Sequence, residues 1–258
     1  SKQIKDAAGN ALATLSSAVS VKVNNDNTVP TVSSVGSTKD DGSYKTGDVI
    51  PVTVKFSEVV YVTTTAGVPD LQLETGTQDR FATYASGSGS DTLTFNYTVQ
   101  SGDTTNDLNY AATNSLALKE GTIRDAAGNN AVLTLPATND PINSLAAAKD
   151  LKIDGTAPAF SSSALNPVEA DAGTKIITLP TTEPFTGTPD ANDFVVQVAN
   201  VANTVQSVSV DGVTGTVTLT VANAIANSAT VTVGYTQNST ASKQIKDAAG
   251  NALATLSS

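Results

Sequence analysis

The chain has 258 residues, with 24 acidic against 14 basic side chains, a net charge of −10 and an isoelectric point near 4.3. That balance argues against nucleic acid as a partner, because phosphate backbones are held by basic patches. Cys, His, Met and Trp are absent, so zinc and most transition metals lose their usual ligands, the commonest nucleophile–base pairs are missing, and oxygen-ligand chemistry remains.

No apolar run approaches the roughly 20 residues of a membrane span. No signal peptide opens the chain, which reads as an internal fragment. Val, Thr and Ser alternate with period two, as in Thr92–Tyr97 and Thr216–Val221, the pattern of half-buried antiparallel strands. The expected fold class is all-β.

Residues 1–17 recur unchanged as residues 242–258, so the chain covers one period of a tandem array and the start of the next. Within them lies a motif that occurs three times, at Lys5–Asn10, Arg124–Asn129 and Lys246–Asn251. An Ile precedes each Asp by two residues (Ile4, Ile123, Ile245) and an apolar run follows. This reads as strand, tight turn, strand, with Gly and Asn at positive φ. Each turn also offers Asp and Asn side-chain oxygens, the ligand type preferred by calcium. The competing reading is a plain hairpin that holds no ion.

A second, looser repeat pairs Asp26-Asn27-Thr28-Val29-Pro30 with Asp154-Gly155-Thr156-Ala157-Pro158. Val21-Lys22-Val23 precedes the first and Leu151-Lys152-Ile153 the second. Proline stiffens such linkers and holds successive domains nearly end to end. Residues 1–28 are then the final strands of a preceding repeat with its linker, 29–156 one domain and 157–258 a second.

In the first domain strands are expected at Val49–Phe56, Asp70–Glu74, Phe81–Tyr84, Thr92–Val99 and Ala131–Leu135, with a helical turn at Ser144–Ala148. In the second they are expected at Lys175–Leu179, Phe194–Val198, Val205–Val210, Thr216–Val221 and Thr230–Tyr235. Short strands at this spacing indicate two tandem antiparallel β-sandwiches. The last strand of the second, equivalent to Ala18–Val23, would lie beyond Ser258, which predicts head-to-tail strand exchange between neighbouring chains.

With these motifs in order, the chain resembles the Ig-like tandem repeats of giant bacterial surface adhesins. The second domain is similar to the swimming-motility-protein type of repeat, through Thr156–Phe160, Val231–Tyr235 and Asp247–Asn251. The first resembles a longer relative, through Val54–Glu58, Ala82–Gly89 and Asp125–Asn129. The resemblance implies Ig-like domains, an extracellular position on a bacterial surface, an extender stalk serving adhesion or biofilm formation, and calcium at the domain junctions. Its implied ligands are Asp6 and Asn10, Asp26, Glu58, Asp125 and Asn129, then Asp154, Glu183, Asp247 and Asn251. The first linker departs from the second by two extra residues before Asp26. Together such groups could supply the six to eight oxygens calcium takes.

Other readings are weaker. Lys55 lies on the strand face opposite to Val52, Val54 and Phe56, which argues against a Lys–Asn isopeptide bond. Paired carboxylates such as Glu58 and Asp125 without a pocket, His or aromatic platform do not read as an enzyme. A self-assembling extracellular fibre or surface layer is the main alternative to a stalk, and a ligand-binding adhesin tip is third.

Overall fold

The computed structural model describes residues 5, 7–9, 26–161, 169–170 and 172–257. The expected ligands Asp6 and Asn10, and the segment Ala18–Val23, lie outside them.

The described chain is nearly all β. From Val32 to Asp154 run β1 (Val32–Ser37), β2 (Gly42–Tyr44), β3 (Val49–Thr63), β4 (Asp70–Glu74), β5 (Arg80–Ser86), β6 (Ser90–Thr98), β7 (Thr104–Thr105), β8 (Asn109–Tyr110), β9 (Leu116–Ala117), β10 (Thr122–Arg124), helix α1 (Leu145–Ala148) and β11 (Leu151–Asp154). One sheet has the order β1-β3-β6-β5-β4-β8, with β10 on β3 and β9 on β4. The other is β2-β11-β7, where β11 runs parallel to β2 and antiparallel to β7.

The second half holds β12 (Glu169–Ala170), β13 (Ile176–Pro180), β14 (Phe194–Val198), β15 (Val201–Ala202), β16 (Val205–Asp211), β17 (Thr216–Val221) and β18 (Val231–Tyr235). Its sheets are β12-β13-β17-β16 and β15-β14-β18.

Two separate cores follow from the alternation. Val52, Val54, Phe56, Leu93 and Phe95 belong to the first, and Ile177, Leu179, Val217, Leu219 and Phe194 to the second. Burying each such side chain contributes about 1.5–3 kcal/mol. Lys55 points outward and lies 3.9 Å from Asp91.

Two strand expectations are corrected. Residues 131–135 form no regular strand. The Ala131 N–H donates to Ile123 O of β10, but the Val132 N–H turns to Pro30 O and the Leu135 N–H to Thr113 O, so no continuous ladder to one neighbour forms along the segment. In turn β3 continues well past Phe56. Its pairing with β6 breaks between Lys55 and Val60 at a bulge, and beyond it Tyr61–Thr63 pairs with β10. The expected helical turn forms as α1, capped by Ser144, whose side chain accepts from Ala147 N.

Candidate metal centres

Alternation along β3 puts Phe56 and Val60 in the core, and Glu58 falls in the same inward phase between them. The second domain repeats this, with Glu183 between buried Thr181 and Phe185. A reciprocal pair of hydrogen bonds, one to backbone and one to a hydroxyl, anchors the residue before each glutamate. Ser57 N donates to Thr31 O and Thr31 N to Ser57 Oγ; Thr182 N donates to Ala159 O and Ala159 N to Thr182 Oγ1.

The turn motif arrives beside each glutamate by strand pairing. Arg124 pairs with Tyr61, and Lys246 with Thr186. Ile123 and Ile245 are buried and pin the turn to the core. The Asp that follows is therefore buried too, Asp125 at 5% and Asp247 at 3% exposure.

The linker brings the third carboxylate. Asp26 Oδ1 accepts from Thr28 N, and Asp154 Oδ1 from Thr156 N, the same local turn in both linkers. Despite its two extra residues, the first linker delivers Asp26 to Glu58 and Asp125. Asp26, Glu58 and Asp125 form one triad and Asp154, Glu183 and Asp247 the other, with one carboxylate oxygen from each within 4.8 Å of the others. None of the ion pairs among the described residues involves these six side chains.

The asparagines are not the positive-φ residues expected of them. Gly128 and Gly250 adopt positive φ, whereas Asn129 and Asn251 do not. Their amides clamp the linker instead. Asn129 Nδ2 donates to Asp26 O, Thr28 O and Asp125 Oδ2. Asn251 Nδ2 donates to Asp154 O and Asp247 Oδ2 at 2.7 Å each, while its Oδ1 accepts from Thr46 N. One side chain thus ties the linker and the preceding domain to the turn.

The electrostatics follow from this crowding. Burial, then the charges of Asp26 and Asp125, push the Glu58 carboxyl above its ordinary range. Burial, then Asp154 and Asp247, do the same to Glu183. Burial opposes ionisation of Asp125 as well, but hydrogen bonds from Asn129, Gly128 and Ala127 outweigh it and hold its carboxyl low. Glu58 Oε1 is buried with no hydrogen-bond partner. A buried acceptor without a donor is unfavourable unless a proton or a cation satisfies it.

These oxygens suit a hard cation, since three carboxylates offer up to six ligand atoms. A cleft of about 470 Å³ reaches Asp154 and Glu183 from solvent.

Residues 153–240 match the SWM repeat, a family described as "Putative flagellar system-associated repeat". No curated protein matches the chain. The SWM match covers about a third of the sequence, starts one residue before Asp154, includes Glu183 and stops before Asp247. With the duplication of residues 1–17 at 242–258, it marks the chain as repeat-bearing.

One polar cluster escaped the sequence reading. Asp103, 1% exposed, accepts from Arg80 Nε and Tyr97 Oη at 2.7 Å each and from Gln100 N. Its own backbone carbonyl accepts from Gly155 N. Gly102-Asp103 in sequence looks like any polar turn, and only the core-facing phase of Tyr97 hinted at a buried partner.

Proposed function

We propose that the chain is an extender unit of a secreted bacterial surface protein, whose junctions are stiffened by calcium to make a stalk for adhesion or biofilm formation. The observation that carries this reading is the recurrence of one carboxylate triad, built by the same glutamate anchor, linker turn and Asp–Asn clamp, at the start of both domains. A coincidence of surface charge would not reproduce the scaffold as well as the charges. Asp26 and Asp154 would contribute ligands from the linker, and Glu58 with Asp125 and Glu183 with Asp247 from the domain. Bound calcium supplies positive charge that offsets three crowded carboxylates and joins the linker to the domain. The chemistry is structural, with no catalytic group assigned.

The test is a thermal melt of the full chain in excess chelator and then in millimolar calcium. Occupancy at 100 times Kd stabilises by about 2.7 kcal/mol, which for domains of this size raises Tm by roughly 10–20 °C. Superimposable melts, with no heat of calcium binding in calorimetry, would remove calcium from the function and leave a plain spacer or fibre subunit.

A further inference from the structure

The linker presents two different sides. Asp154 and Thr156 line the cleft that reaches the second triad, while Gly155 and Ala157, which alternate with them along the chain, line another cleft of about 390 Å³. The same division runs through the end of β2, where Ser43 lines the first cleft and Lys45 the second. The carboxylates belong to the first side. The second holds Lys45 from one domain and Lys246 from the other, with Ser101 and Gln244 beside them and no acidic residue in its lining. Two like charges sharing one polar cleft stand out in a chain with 24 acidic against 14 basic side chains.

Both lysines are positioned through contacts that do not use the ammonium. Lys45 N donates to Asp48 Oδ2, and the next residue is tied to the junction, Thr46 N donating to Asn251 Oδ1 and Thr46 Oγ1 to Gly155 O. The Lys45 stem lies across the turn, with Cδ 3.7 Å from where a Cβ on Gly250 would stand. Lys246 sits between buried Ile245 and Asp247, so alternation turns its side chain away from the core. At the first turn the matching base, Arg124, donates to Asn130 Oδ1. Ala252 holds the place of Asn130, pairing with Lys246 as Asn130 pairs with Arg124, and its methyl offers no acceptor. Among the described residues no ion pair involves Lys45 or Lys246.

We propose that this cleft binds an oxyanion, the carboxylate of a sugar acid or a free phosphate, held between Lys45 of the first domain and Lys246 of the second. A cleft lined by one sign of charge focuses its field on a counter-ion, and ammonium donors make short, charge-assisted bonds to oxyanions. The neighbours suit hydroxyls beside that charge. Gln244 spends its Nε2 on Asn238 O, which leaves its Oε1 to accept, and the Ser101 hydroxyl both donates and accepts. The volume falls within the roughly 300–1,000 Å³ of small-molecule sites. A ligand held by both lysines would join the domains from the side of the linker that the triad does not occupy. The proposal stands apart from the calcium reading, since no triad side chain lines this cleft.

The experiment titrates the full chain, in chelator at low salt, with sodium glucuronate, inorganic phosphate and glucose, read by calorimetry and by backbone amide NMR. At least one of the two anions is expected to bind and glucose is not, with shifts centred on Lys45, Ser101 and Lys246 and an affinity that falls as sodium chloride is added. Tighter binding of glucuronate would identify a sugar carboxylate as the ligand, and equal or tighter binding of phosphate a free oxyanion. K45A and K246A should each weaken binding by about tenfold, as expected for loss of a hydrogen bond to a charged group. A252D, which keeps both lysines but sets a carboxylate beside Lys246, should weaken it likewise. No binding of either anion at millimolar concentration would overturn the proposal, as would binding that K45A/K246A leaves unchanged. The calcium melt of K45A/K246A should match that of the parent, so either reading can fail without the other.

Discussion

At the residue scale the two glutamates contribute to the pH response, beside Asp70 and Asp107, whose carboxyls burial also raises. A carboxyl whose folded pKa is raised binds its proton more tightly in the native state, so it favours folding below the ordinary glutamate value. That contribution is lost as pH rises through the raised value. Asp125 acts in the opposite sense, contributing stability above the ordinary aspartate value that is lost as pH falls through its lowered one. In chelator, the Glu58 and Glu183 contribution to stability should therefore fall as pH rises out of the acidic range. Calcium should abolish that loss, because the cation replaces the proton, and its affinity should rise with pH across the same window. The double variant E58Q/E183Q separates these effects. It is expected to melt above the parent in chelator at neutral pH and to gain little from calcium. An unchanged pH profile in the variant would show that the glutamates are not the titrating groups.

At the scale of the element, the second linker is held by its backbone as well as by the Asn251 and Thr46 side chains. Gly155 donates to Asp103 O, and its own carbonyl accepts from Gly102 N and from Thr46 Oγ1. A Cβ on Gly155 would lie 2.2 Å from Gln100 O and 3.0 Å from Asp103 O. Neither is the end of a flexible side chain. G155A should therefore destabilise by about 1–3 kcal/mol and loosen the Asp154 carbonyl from Asn251, which denaturant melts would report. Asn27 holds the matching place in the first linker, so N27A should leave stability within about 0.5 kcal/mol of the parent.

Legibility in the sequence divides along the same line. Asp70–Glu74, Phe194–Val198 and Thr216–Val221 form strands with the expected bounds, because period-two burial is a local pattern. Residues 131–135 carry a similar alternation, but after Ala131, which donates to Ile123 O across the turn, Val132 and Leu135 donate to Pro30 and Thr113, and no local pattern announces such distant partners. The triad residues were named as candidates through the family resemblance, while the recurrence of the turn and linker motifs alone pointed to their aspartates. The clamp geometry was not legible, since an Asn beside a Gly reads first as a turn former. The buried Asp103 carried no repeat and no motif.

At the scale of the molecule, the junction carries a hydrogen-bonded fastener, and the proposed calcium site would give it a second of different chemistry. Asn251 bridges the Asp154 carbonyl, Asp247 and Thr46 by hydrogen bonds, and those to the Asp154 carbonyl and Thr46 involve no ionisable group. On the calcium reading, the triad of Asp154, Glu183 and Asp247 would add a charge-dependent fastener, repulsive when bare and cohesive around a divalent cation. Monovalent salt screens the bare repulsion over a Debye length of about 10 Å at 0.1 M, but it cannot join linker to domain. Small-angle scattering should accordingly give three distinct states. In chelator at low salt the interdomain distances should be broadest, in chelator at high salt narrower, and in calcium narrowest and independent of salt. N251A should broaden the distribution in chelator yet still respond to calcium, whereas D247N should lose the calcium response. If high salt alone reproduced the calcium profile, the ion would act as a screening counter-charge and the junction would owe its stiffness to the hydrogen-bonded clamp.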